Sequence, residues 1–106
     1  MPKYLFEAQY SSEGAQAIAS KGGSARRTAV EKAIKGLGGK LECFYFAFGG
    51  VDAYVIADLP DNATAAAMAL AVNQAGLATT NTVVLLTGAE MDAAGKIVVK
   101  YKAPGK

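Results

Sequence analysis

Residues 41–59 read Leu41-Glu-Cys-Phe-Tyr-Phe-Ala-Phe-Gly-Gly-Val-Asp-Ala-Tyr-Val-Ile-Ala-Asp-Leu59, and they decide the fold. Leu41–Phe48 is aromatic and free of Gly and Pro, Gly49-Gly50 supplies a turn, and Val51–Leu59 is rich in strand-forming residues, so the stretch reads as a β-hairpin. Strict alternation in its first strand puts Leu41, Cys43, Tyr45 and Ala47 on one face and Glu42, Phe44, Phe46 and Phe48 on the other. Both faces carry large or apolar groups, so both call for burial.

Toward the N-terminus, Lys3–Tyr10 alternates, with Tyr4, Phe6, Ala8 and Tyr10 on one side, which predicts a strand. Ser11 and Ser12 can cap a helix from about Glu13 to Lys21; Gly22-Gly23 interrupts it, and Ser24 can cap a second piece reaching Lys35 before Gly36, Gly38 and Gly39. Toward the C-terminus, Pro60-Asp61 opens an alanine-rich helix, Thr64–Ala75, with Gly76 as its C-terminal cap. Ala78–Leu86 reads as a fourth strand. Thr87-Gly-Ala-Glu90 has capping-box spacing and predicts a last helix, although Ile97-Val98-Val99 suits a strand equally well.

The order is therefore β-α-β-β-α-β. Sliding the chain on itself by 50 residues gives a faint echo: Tyr4 falls on Tyr54, Phe6 on Ile56, and the capping Ser11 on Asp61. With right-handed crossovers, this α+β order predicts a ferredoxin-like sandwich, a four-stranded antiparallel sheet with the helices on one face. The other face would need a polar lining or a partner, and the sequence is too apolar for the lining. A homodimer packed sheet on sheet is the expected remedy.

With 106 residues, the expectation is one domain spanning 1–106, its basic segment 96–106 frayed. The chain has no histidine and a single cysteine, Cys43. Serine-histidine and cysteine-histidine catalysis, histidine-ligated haem, zinc fingers and an intrachain disulfide framework are excluded, and no metal or cofactor is expected. The formal charge of +2 is unevenly spread: residues 1–40 sum to +4, residues 41–95 carry six acids and no base, and Lys96, Lys100, Lys102 and Lys106 close the chain. That is a poor footprint for nucleic acid, and the basic-Gly-aromatic-Gly-aromatic signature of RNA-binding sheets is missing. No secretion signal is visible at Met1-Pro2-Lys3-Tyr4, and Asn73, Gln74 and Gly76 break the most apolar helical region, so a cytoplasmic protein without a membrane span is expected.

Leu37–Asp52, continued by Tyr54-Val-Ile-Ala-Asp-Leu-Pro-Asp61, resembles the GYD domain family, and the likeness extends to the opening strand, Arg26-Arg27 and Thr79-Thr80-Asn81-Thr82. The resemblance implies a prokaryotic, ferredoxin-like, dimeric α/β-barrel domain in a family without an assigned biochemical role. Where that family reads Gly-x-Tyr-Asp, this chain has Gly49-Gly50-Val51-Asp52, so Val51 replaces the tyrosine and Tyr54 can stand in only with a shifted reach.

Gly22-Gly-Ser-Ala-Arg-Arg27 is the most suggestive segment, since Ser24, Arg26 and Arg27 meet at an expected helix N-terminus, where an anion would be held. The structural alternative is that Arg27 pairs with Glu31 one turn on, while Arg26 is solvated or paired across the dimer. Asp52 can serve as a base, or as a turn residue bonded to nearby backbone. The aromatic run, with Tyr4, Phe6, Tyr10 and Tyr54, can line a flat pocket or fill core and interface. Cys43 has no neighbouring base and reads as a buried thiol.

Two functions follow. One is a homodimeric small-ligand-binding or assembly module. The other, by analogy with dimeric α/β-barrel monooxygenases and isomerases, is a metal-free, histidine-free enzyme acting on a small anionic or aromatic molecule, in which Arg26 and Arg27 position an anion, Asp52 takes a proton and Tyr45 or Tyr54 donates a hydrogen bond. The enzyme requires a closed cavity of a few hundred Å³ into which at least two of these polar groups converge.

Overall fold

A computed structural model describes residues 1–105; Lys106 of the basic end lies outside the described residues. The elements are β1 (Lys3–Tyr10), α1 (Ser12–Lys21), α2 (Gly23–Gly36), β2 (Lys40–Phe46), β3 (Ala53–Asp58), α3 (Asn62–Ala75), β4 (Ala78–Leu85) and α4 (Gly88–Gly95). They form an α+β domain with an open, antiparallel sheet in the order β2-β3-β1-β4. Among the described residues no helix is long and apolar enough to cross a membrane.

One face of the sheet makes the core. Tyr4, Phe6 and Ala8 of β1 and Ala53, Val55 and Ala57 of β3 point to the same side and pack with Val30 and Ile34 of α2 and Ala65 of α3. Ile34 and Leu59 are fully buried.

The hairpin departs from strict alternation. Leu41 lies opposite Ala57 but Cys43 lies opposite Ile56, so Glu42 is the extra residue of a β-bulge. The bulge turns Leu41 to the core side with Phe44 and Phe46, leaving Cys43 and Tyr45 on the far face; the expected grouping of Leu41 with Cys43 and Tyr45 is corrected accordingly. The strands are also shorter than expected, ending at Phe46 and resuming at Ala53, with Ala47 N–H donating to the Asp52 carbonyl at 2.7 Å to close the loop.

The helix ends follow local rules with one exception. Ser11 caps α1 through the Gly14 amide and Asp61 caps α3 through the Thr64 amide, a matched pair 50 residues apart. The echo fails for the strands: Tyr4 is buried in the core whereas Tyr54 faces the far side. The exception is Ser24, which lies inside α2 and caps nothing; Gly22, at φ 96°, ends α1 and starts α2 in a single residue. That left-handed φ suits glycine alone, so the break comes two residues earlier than a serine cap would put it.

The capping box at Thr87 is present in both directions and opens α4, yet α4 buries no residue. Residues 96–101, ambiguous in sequence, form neither helix nor strand. The long axis reaches 56 Å and the radius of gyration 16.8 Å, against about 13 Å for a compact chain of this length.

Candidate functional site

The two helices that flank the core do not close on each other. Ala29 and Ala33 of α2 and Ala71 and Ala75 of α3 present methyl groups one helical turn apart, leaving a groove of about 210 Å³ with Val30, Met68, Val72 and Leu77 along it. A second hollow, about 220 Å³, runs between α1 and α2 past Tyr10, Ile18, Lys21 and Leu77. Beneath them a pocket of about 30 Å³, room for roughly one water, reaches the sheet at Phe6, Ala8 and Val55.

Arg26 lines all three. It sits one turn into α2, its guanidinium carbon 5.9 Å from the centroid of the Tyr10 ring. Its Nε is shielded from solvent and has no hydrogen-bond partner, and among the described residues no carboxylate pairs with it. A buried donor left unmade costs free energy. Apolar walls around the Arg26 guanidinium, with Lys21 at the α1 side and no carboxylate paired with either among the described residues, make the cleft chemically suited to a small anion with an apolar body.

The remaining residues singled out in the sequence are dispersed. Arg27 points outward, 3.9 Å from Glu31. The exposed Ser24 uses its carbonyl to accept from the Thr28 hydroxyl at 3.0 Å. Asp52 accepts the Tyr10 amide at 2.9 Å through Oδ2, and its own amide donates to the Ala8 carbonyl at 2.8 Å, tying the hairpin end to β1. Tyr45 and Tyr54 are cross-strand neighbours on the far face, 70% and 40% exposed, across the sheet from Arg26. The structure therefore brings Arg26 to the cleft with Tyr10 and Lys21 and does not bring Asp52, Tyr45 and Tyr54 together there. Lys21 and the alanine pairs were missed by sequence reasoning; the Ala29/Ala33 and Ala71/Ala75 spacings were the available signal.

A model of the GYD domain matches residues 4–94. The chain belongs to the GYD domain family. No curated protein and no solved structure matches it significantly. In this GYD chain the motif segment Gly49-Gly50-Val51-Asp52 is the loop between β2 and β3; the Gly50 carbonyl accepts from the Gln9 side chain and Phe48 is fully exposed beside it.

The far face of the GYD sheet has its own order. Cys43, Ile56, Leu5 and Val83 align across all four strands as an apolar stripe. On one side of it Lys3 bridges Glu42 at 2.8 Å and Asp58 at 3.0 Å, and these two hydrogen bonds raise the Lys3 pKa. On the other, Asn81 donates to Glu7 at 3.0 Å.

Proposed function

We propose that this GYD protein is a ferredoxin-like homodimer of the dimeric α/β-barrel type, acting in the cytoplasm, that binds a small molecule combining one anionic group with an apolar body. The observation that carries the ligand reading is Arg26, a guanidinium with a buried, unpartnered Nε at the junction of three apolar hollows. A ligand carboxylate or phosphate at Arg26 would supply the missing acceptor, Lys21 would add charge, and the alanine-walled groove would take the apolar part. Support for the homodimer comes from the surface. The chain exposes 7159 Å², against roughly 5,600 Å² for a folded monomer of its mass. That excess is larger than the ~800 Å² each partner loses in a standard interface, and the Cys43–Ile56–Leu5–Val83 stripe lies on the uncovered face.

The alternative of an enzyme has no converging set of polar groups in its favour, since Asp52 is held by the Tyr10 amide and both tyrosines lie across the sheet. Native mass spectrometry of gently purified protein, followed by calorimetric titration with octanoate and benzoate against octanol and benzyl alcohol, tests the proposal. The expected result is a dimer that binds the carboxylates and ignores the neutral analogues. Equal binding of both classes, or of neither, overturns the anionic-ligand reading.

A further inference from the structure

The segment Lys96-Ile-Val-Val-Lys-Tyr-Lys102 has the pattern of a strand: Ile97, Val99 and Tyr101 alternate with Lys96, Lys100 and Lys102 around Val98. It forms no strand within its own chain. Ile97, Val98, Val99 and Tyr101 are 68%, 88%, 74% and 75% exposed. The GYD match covers residues 4–94, so this segment lies outside the matched region.

An unpaired strand edge exists to receive it. The Thr80 amide donates to Asn73 Oδ1 at 2.9 Å rather than to β1. By the alternation of an antiparallel ladder, the N–H and C=O groups of Thr82 and Val84 then also point away from β1. This edge of β4 has eight residues with neither charge nor proline, an unprotected template for pairing. The opposite edge, β2, carries Lys40, Glu42 and the bulge, which discourage pairing.

The tail does not pair with its own β4. α4 begins directly after the strand at the Thr87 capping box and carries the chain away over eight residues, about 12 Å. Strand and receiving edge thus occur once each in one chain, separated by a helix. We propose that residues 96–102 of one copy add as an edge strand to β4 of a second copy, reciprocally about a two-fold axis. The proposal rests on the homodimer reading above and names the segment that fastens it. A second copy satisfies both features twice, whereas an unrelated partner would satisfy only one.

Sedimentation velocity and hydrogen exchange on the full chain test this. Truncation after Gly95, and whichever of Val98→Pro and Val99→Pro removes a ladder donor, are expected to weaken dimerisation about tenfold or more, the other proline variant having the smaller effect. Val98→Ala should leave it unchanged. The Thr82 and Val84 amides should exchange slowly in the dimer and fast on dilution or after truncation. A truncated chain that dimerises as tightly as the full one overturns the exchange and leaves the homodimer standing; a full chain monomeric at micromolar concentration overturns both. Slow exchange at Thr82 and Val84 independent of concentration would place the tail on its own β4, and the exchange would again be wrong.

Discussion

Replacing Arg26 by methionine should make this protein more stable and less able to bind. The Nε–H of Arg26 is buried with no acceptor, and an unsatisfied buried donor costs about 1–3 kcal/mol. Methionine keeps an unbranched stem in a hollow lined by Ala29, Val30, Met68 and Val72 and brings no donor. The substitution also forfeits the stacking of the guanidinium over Tyr10 at 5.9 Å, worth about 0.5–1 kcal/mol. The balance favours Arg26→Met by about 1 kcal/mol, a rise of roughly 4–8 °C in Tm for a domain of this size. Carboxylate binding should fall about tenfold or more, since a charge-assisted fork contributes at least that much. Urea denaturation gives the first quantity and calorimetric titration with octanoate the second, while Arg26→Lys, retaining the charge without the fork, should bind at an intermediate level. Destabilisation by more than about 1 kcal/mol in the methionine variant would refute the reasoning, because it would show the guanidinium already satisfied and structural.

Ile56→Glu sets a charge in the middle of the apolar stripe, on the face away from the core; the far-UV circular dichroism should be retained while the mass in solution falls from dimer to monomer. Gly14→Ala drives a methyl group into the carbonyl oxygen of Leu77, the atom that accepts the Ser11 amide at 3.0 Å, and should lower stability by about 1–3 kcal/mol in urea unfolding. At Asp61, hydrogen bonds from the Thr64 hydroxyl and then the Thr64 amide hold the carboxyl below its ordinary value. Because the folded state lowers this pKa, its contribution is complete above the unfolded value and is lost as pH falls through the folded one. Wild type should therefore melt above Asp61→Ala near neutral pH, and the two curves should converge in acid.

The parts of this protein legible in sequence are those governed by neighbours in the chain. Ser11, Asp61 and Thr87 cap helices because a side-chain oxygen three residues before a free amide needs no distant partner. Gly76 ends α3 for an equally local reason, its left-handed φ of 79°. Alternation in Lys3–Tyr10 was enough to place Tyr4, Phe6 and Ala8 in the core. The polarity of the tail is local as well, Ile97, Val99 and Tyr101 alternating with lysines around Val98.

The site required the tertiary structure, because it depends on what the sheet and helices leave unfilled. Arg26 and Arg27 are adjacent in sequence and equivalent in composition, yet the turn of α2 sends one over Tyr10 and the other to Glu31. Ser24 looked like a cap until Gly22 joined α1 and α2 in a single left-handed residue. The facing of the hairpin depended on one bulged residue, Glu42, which reverses the parity of everything before it. Sequence alone determined the order of the elements and the helix caps at Ser11, Asp61 and Thr87, since those follow from contacts within a few residues. Only the packed structure decided which arginine is left without a partner and which sheet face and edge stay open, because those follow from contacts across the whole fold.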